Sequence, residues 1–331
     1  MLRNDSVQAL MQRGSMVAVI MLVIASGLTT AQCSNADQSL VTTTPALSLA
    51  FPPKAVSDNV PSIEPTVPPL PATATSQVPT VTSVPPTPTP SLPFFEGPFA
   101  FGQSAGGRDL YAYRLGTGPS ARAIIGGLHG GYESNTVRLV NHALEYLRAS
   151  TATIPVSVTL YVVPLANPDG FARGTDAIYG RMNANGVDLN RNWDYHWQMT
   201  ATHGTRPVSA GAFPFSEPET VALRDLILTR NVEAVVFYHS ALGKVFPAAE
   251  VNGTATTELA KMMAQVTGYR FAPEGVPGQI TTGDAIDWLS AQGIAAIEIE
   301  LANHQDMEWE RNQRGILAFL NWAIPGGAPM R

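Results

Sequence analysis

From Phe99 onward the chain alternates short apolar runs with longer stretches of helical period, and no other feature limits its possible folds so tightly. The strand candidates are Asp109–Leu115, Ala121–Leu128, Val156–Leu165, Ala234–Tyr238 and Ile294–Leu301. Between and after them lie the helix candidates Glu133–Ala149, Glu217–Thr229, Thr256–Val266, Gly283–Gln292 and Glu308–Trp322. Strands separated by helices pack as an α/β sheet with helices on both faces. Ser216, followed by Glu217 and Glu219, reads as a helix start: a cap, then acids in the first turn.

Where the apolar runs end, polar residues stand. His129 follows AIIGGL, Glu133 opens the next helix, His239 closes AVVFYH, and Glu300 sits near the end of AAIEIEL. An α/β sheet presents its functional groups at the carboxyl ends of its strands. Two imidazoles and one carboxylate form the three-ligand set of a catalytic zinc site that keeps its fourth position for water. A further carboxylate beside that water is a general base. Glu298 lies on the same strand face as Glu300 and competes for that role, and two such carboxylates raise each other's pKa. His142 falls inside a helix, His196 and His203 in a loop-like stretch and His304 just past Glu300, so these four are read as non-ligands, with His304 the one placed to line the cleft.

Residues 165–193, LANPDGFARGTDAIYGRMNANGVDLNRNW, add a more specific signature. NPDG, Arg181 and GVDLNRNW, together with GQSAGGRDLYAY (102–113) and TGDAIDWLSAQGI (282–294), resemble the M14 family of zinc carboxypeptidases over roughly Phe99 to Ile324. The resemblance implies a mixed, mostly parallel twisted sheet and Zn²⁺ on His129, Glu133 and His239. It makes Glu300 the general base and Arg181 the residue that polarises the scissile carbonyl. Asn190 and Arg191 match the pair that grips a terminal carboxylate, a task suited to a rigid guanidinium fork. Asp188 matches the acid that orients a zinc-ligating imidazole. Ile286 stands where side-chain preference is set, with Asp284 and Asp287 close by. Asn192 and Trp193 look structural.

Two departures from the family pattern stand out. The family has two residues between the first His and the Glu; this chain has three, Gly130, Gly131 and Tyr132, and the glycines allow the backbone to absorb the extra residue. Counting back from Ile286 without gaps puts Gln279 where the family has the tyrosine that closes over the substrate: either a gap shifts the match or the cap is absent.

The 331 residues are 45% hydrophobic and 14% charged, enough for one sizeable core and an extension. A net charge of −6 without a basic tract gives no sign of nucleic-acid binding. One cysteine, Cys33, excludes an intrachain disulfide and a cysteine-based metal site. Arg3 and Arg13 precede the 13-residue apolar run Met16–Leu28, which suits a signal peptide at residues 1–31 and is short of the ~20 residues of a membrane span. Retention as an anchor, or lipidation at Cys33, gives a membrane tether instead. Residues 32–93 form a disordered Pro/Thr-rich linker: 14 prolines and no glycine fall within 41–93, a composition that favours a semi-rigid polyproline II spacer. Such a stretch is unsuited to fold as a globular inhibitory pro-segment. Residues 94–326 are then the catalytic domain.

These features describe an exported, secreted or cell-surface, monomeric zinc carboxypeptidase acting on peptides. The alternatives are a cell-wall murein peptide amidase acting on diaminopimelate-containing peptides, a catalytically inactive peptide-binding module, and a deacylase of N-acyl amino acids.

Overall fold

The strand–helix rhythm of the sequence is realised in the computed structural model, which describes residues 94–248, 254–276 and 278–325. The expected signal segment, the linker and Cys33 lie outside these residues. The strands are β1 (Phe95–Gln103), β2 (Asp109–Gly116), β3 (Ser120–Ile125), β4 (Val158–Val163), β5 (Thr200–His203), β6 (Arg206–Ser209), β7 (Val232–Ser240), β8 (Lys244–Pro247), β9 (Arg270–Phe271) and β10 (Ala295–Leu301). The helices are α1 (Ser134–Ala149), α2 (Pro168–Ala172), α3 (Pro218–Thr229), α4 (Thr254–Thr267), α5 (Ala285–Ala291) and α6 (Trp309–Asn321). Eight strands form one sheet in the order β1-β2-β4-β3-β7-β10-β8-β9, and β5 and β6 form a separate hairpin. The four central strands β4, β3, β7 and β10 are parallel. Antiparallel β1 and β2 extend one side, and β8, antiparallel to β10, extends the other.

Alternation along the strands sorts side chains to two cores. Ala234, Val236 and Tyr238 of β7 and Ile297, Ile299 and Leu301 of β10 face α1, α4 and α6, where Leu139, Leu147, Met263 and Phe319 complete a buried cluster. Val235 and Phe237 of β7 and Ala296 of β10 face α3 and α5 and pack with Leu223, Leu226, Trp193 and Leu289. The helices follow from the same logic. In α1, Val137, Val140, Leu144 and Leu147 recur at helical spacing and are buried. At α5, Asp284 caps the helix by accepting a hydrogen bond from the Asp287 amide at 2.8 Å.

The structure corrects the reading of Ser216. Glu217 occupies the cap position of α3 with no side-chain cap bond, Pro218 supplies the first turn, and the Ser216 hydroxyl donates to Glu217 Oε1 at 2.7 Å. Strand β1 was not expected from its sequence. Gly97 and Pro98 interrupt it, which an edge strand tolerates because one side of its ladder is unpaired.

Arg122 of β3 is fully buried beneath the C-terminal end of α6, where its guanidinium donates to the carbonyl oxygens of Phe319 and, at 2.6 Å, Trp322. Helix ends leave such carbonyls without internal partners. Arg122→Leu is therefore expected to destabilise the fold by ~2–4 kcal/mol, since it strips a charged donor from buried acceptors. Thermal unfolding measures this as a Tm lower by roughly 5–15 °C; an unchanged Tm would show that α6 is held without the contact.

Candidate metal centre and cleft

Register across the sheet assembles the first part of the site. β7 and β10 pair so that His239 lies directly opposite Glu300, and Glu298 opposite Phe237. Glu298, Glu300 and His239 share the strand face that carries Val235 and Phe237, so they project where the apolar packing of α5 gives way to a cleft. His129 arrives from β3 through Gly126-Gly127-Leu128, and Glu133 is the cap residue of α1.

The loop between them is set by close backbone approach. Gly130 has φ +48°, and a Cβ there would stand 2.6 Å from the Phe171 amide nitrogen. A Cβ on Gly131 would meet the Gly174 carbonyl oxygen at 2.3 Å. Only glycine fits at both positions, so the loop lies flat on residues 170–174. The amides of Gly131 and Tyr132 both donate to Gly180 O, at 3.1 and 3.3 Å.

This brings three sequence-expected ligands together. One donor atom from each of His129, Glu133 and His239 lies within 4.8 Å of the others, and all three residues are buried. His129 Nδ1 is 2.8 Å from Glu133 Oε1 and 3.0 Å from His239 Nδ1, which is itself 3.0 Å from Glu133 Oε2. The other ring nitrogen, His129 Nε2, is 3.1 Å from Asp188 Oδ1. Donation to that carboxylate makes Nε2 the N–H and leaves the Nδ1 lone pair turned toward Glu133 and His239. Converging imidazole lone pairs and a carboxylate are the donor chemistry of a borderline-soft divalent cation, so the residues fit zinc. Burial acts to raise the Glu133 carboxyl, but the two facing imidazoles hold it well below the usual carboxylate range. His142, His196, His203 and His304 are outside this group.

Arg181 stands beside the cluster, fully buried. Its Nε donates to Asp188 Oδ2 at 2.8 Å, and its Nη1 lies 3.1 Å from His129 Nδ1. Burial alone would raise the Asp188 carboxyl; Arg181 and His129 instead hold it well below the usual range. Asn190 accepts from the Ala285 amide through Oδ1 at 3.1 Å and donates through Nδ2 to Glu298 at 3.2 Å. The Arg191 guanidinium is oriented by backbone carbonyls, Nη1 donating to Asn190 O at 2.7 Å and Nη2 to Thr202 O at 3.0 Å.

His129, Glu133, Arg181, Asn190, Arg191, Glu298 and Glu300 open into one cavity of about 320 Å³, whose walls also include Ile286, Asp284, Asp287, Gln279 and His304. Glu300 differs from Glu298 in its surroundings. Its Oε2 is buried with no hydrogen-bond partner among the described residues, and burial with the carboxylates of Glu298 and Glu133 pushes its carboxyl well above the ordinary value. Glu298 is instead engaged by Asn190, with Oε2 3.8 Å from His239 Nε2. Asp284 is likewise pushed up by burial and by Asp287. Trp193 and Asn192 are wholly buried and do not line the cavity: Trp193 packs in the α3/α5 core and Asn192 ties down Ala210 O and Phe213 O.

Sequence reasoning missed two cleft residues. His203 does not sit in a loop but ends β5, and burial and the Arg181 charge lower its pKa to about 4. Tyr132 lines the cavity with its ring against His304 and His203. The signal for Tyr132 was present in the chain as the extra residue between His129 and Glu133.

A sequence profile of the family Peptidase_M14, zinc carboxypeptidase, matches residues 97–316. Carboxypeptidase B of Astacus astacus is 32% identical over 158 residues, or 42% of this chain and 52% of that protein. Murein peptide amidase A of Escherichia coli K12 is 34% identical over 152 residues, or 43% of this chain and 55% of that protein. The chain thus spans about half the length of the curated relatives it matches. Among solved structures, murein-tripeptide amidase from Escherichia coli O157 aligns with TM-score 0.51 at 25% identity over 70% of this chain and 93% of that one. Bovine thrombin-activatable fibrinolysis inhibitor, solved with tick carboxypeptidase inhibitor, shares the fold with TM-score 0.56 at 19% identity over 67% of this chain and 86% of that one. With the profile covering more than half of the chain and the whole cluster of His129, Glu133 and His239 inside it, the protein belongs to the M14 family of zinc carboxypeptidases.

Proposed function

We propose that the protein is an exported, secreted or cell-surface zinc carboxypeptidase that hydrolyses the C-terminal amide bond of peptides. The observation that carries this is one cavity lined by His129 and Glu133 of the His129–Glu133–His239 cluster, by Glu300, whose buried Oε2 has no hydrogen-bond partner among the described residues, and by the Arg191 fork. His129, Glu133 and His239 would hold zinc, which supplies a Lewis acid and a water acidic enough to ionise near neutral pH. Glu300 takes a proton from the attacking water and delivers it to the departing amine; its raised pKa suits a group that must both accept and release a proton. Arg181, held through Nε by Asp188, offers Nη1 to the developing oxyanion. Arg191, already aimed by Asn190 O and Thr202 O, receives the free carboxylate beside the scissile bond, with Asn190. Ile286, which lines the cavity, takes the family position at the base of the pocket for the terminal side chain.

A second reading, a murein peptide amidase or carboxypeptidase acting on diaminopimelate-containing peptides, draws support from the amidase relatives and from three acids, Asp284, Asp287 and Glu298, around that pocket. Their chemistry suits the ammonium of a cationic terminal residue. Peptides with varied C-termini and purified muropeptides, offered to the protein and read by mass, separate the two readings. An inactive binding module is disfavoured because ligands, base and arginines share the cavity.

His129→Ala and His239→Ala should each lose bound zinc to a chelator that leaves the wild type loaded, because two ligands hold the ion far less tightly than three. Metal analysis showing full occupancy in both variants would remove the assignment. Glu300→Gln should keep zinc yet lose ~10²–10⁴-fold in kcat, whereas Glu298→Gln should not. The reverse pattern would transfer the base to Glu298. Arg191→Ala should cost ~2–5 kcal/mol in kcat/KM on free-acid peptides, and the wild type should already cleave C-terminally amidated peptides poorly. Fast cleavage of amides by wild type and Arg191→Ala alike would sink the carboxypeptidase reading and leave a zinc hydrolase standing.

A further inference from the structure

Tyr132 is the least explained residue of the cleft, and its surroundings say what it can do. Its backbone is fixed. The Gly130-Gly131 segment before it has no room for side chains, and its own amide is bound to Gly180 O at 3.3 Å. Its ring is fixed as well, with its centroid 4.5 Å from that of His304 and 6.1 Å from that of His203. His304 does not drift, because its Nδ1 is 2.9 Å from Ser240 Oγ, which donates to Asn135 Oδ1 at 3.0 Å. Asn135 in turn donates to Asn303 O at 2.6 Å. The chain of contacts runs from α1 through the end of β7 to the phenol ring. A side chain held this firmly, at a cavity wall, is preorganised in the way that binding and catalytic groups require.

The hydroxyl of this fixed ring makes no hydrogen bond to any described residue, and it stands in the fields of Glu133, Arg181 and Glu300 within the same cavity. A phenol offers one O–H donor and accepting lone pairs. The acceptor that a bound peptide brings in greatest number is its carbonyl oxygen, and the Tyr132 hydroxyl adds a neutral donor to the cavity wall beside the charged donors Arg181 and Arg191. We propose that Tyr132 is a substrate-positioning residue whose hydroxyl donates a hydrogen bond to a carbonyl of a peptide lying across the cavity. This rests on the proposed peptide-hydrolase function. The third residue between His129 and Glu133 is therefore a substrate contact rather than a loop spacer, and its role explains the two glycines that accommodate it.

The test keeps the ring and removes only the oxygen. Tyr132→Phe should retain the wild-type Tm and zinc content and lose roughly tenfold in kcat/KM on a free-acid peptide, the worth of one unmade hydrogen bond. The same oxygen should be read without turnover. Calorimetric titration of the peptide into Glu300→Gln and into Glu300→Gln with Tyr132→Phe should show Kd roughly tenfold weaker in the second. Peptide analogues in which one carbonyl at a time is replaced by a methylene should include one that the two proteins bind equally; that analogue identifies the partner. Wild-type behaviour of Tyr132→Phe in both assays, or a deficit that persists for every analogue, overturns the proposal, and a lowered Tm or zinc loss in Tyr132→Phe makes the residue structural. If the zinc-loaded wild type cleaves no peptide but the titrations still differ, the hydrolase reading fails and the Tyr132 contact stands.

Discussion

Asp188 is the interaction on which the rest of the site depends. One wholly buried carboxylate accepts from His129 Nε2 and the Asn190 amide through Oδ1 and from Arg181 Nε through Oδ2. Three segments, the loop after β3, the turn at Leu189–Arg191 and the stretch around Arg181, are thereby referenced to a single point. A buried anion is tolerated only when its lone pairs are met by strong donors, and here two of the donors carry charge or can carry it. The same contact decides which nitrogen of His129 faces Glu133 and His239. Removing it would not merely loosen a histidine. It would strand the Arg181 charge in a dry interior and free the turn that aims Asn190 and Arg191.

The sequence disclosed the part of this arrangement that strands impose. Period-two alternation in AVVFYHS and AAIEIEL forces His239, Glu298 and Glu300 onto one face once their strands are parallel neighbours, and the structure pairs them in that register. All three ligand candidates are buried together, including Glu133 across its unusual three-residue spacing. The central strands and five longer helices were legible for the same reason: each carries an apolar stripe that packing rewards directly. Boundaries moved by a few residues at most, as at β3, which stops at Ile125 while the expected run continued to Leu128.

What stayed hidden was set by tertiary contact. β1 breaks its own alternation at Gly97-Pro98, β5 and β6 are four residues each and polar, and α2 is a single turn begun by Asn167 and Pro168. None of these carries enough local apolar pattern to be read alone. His203 looked like a loop histidine because its strand exists only through the hairpin with Arg206. The sequence likewise marked Arg191 as a candidate binding residue but could not show that Thr202 O, from that same hairpin, would orient its guanidinium.

The charges around the cleft explain why one side of it is held so rigidly. Arg181 and Arg191 face Glu133, Asp284, Asp287, Glu298 and Glu300 across one cavity. Left flexible, two guanidiniums would pair bidentately with the nearest of these acids and be lost to an incoming carboxylate. Instead Arg191 spends donors on two neutral carbonyls, and Asn190 stands between it and Glu298. Burial completes the separation from the other side. It acts on the Asp284 carboxyl, which burial and Asp287 push upward. The two arginines thus differ: Arg181 is committed to the Asp188 carboxylate, whereas the Arg191 guanidinium is held by backbone carbonyls.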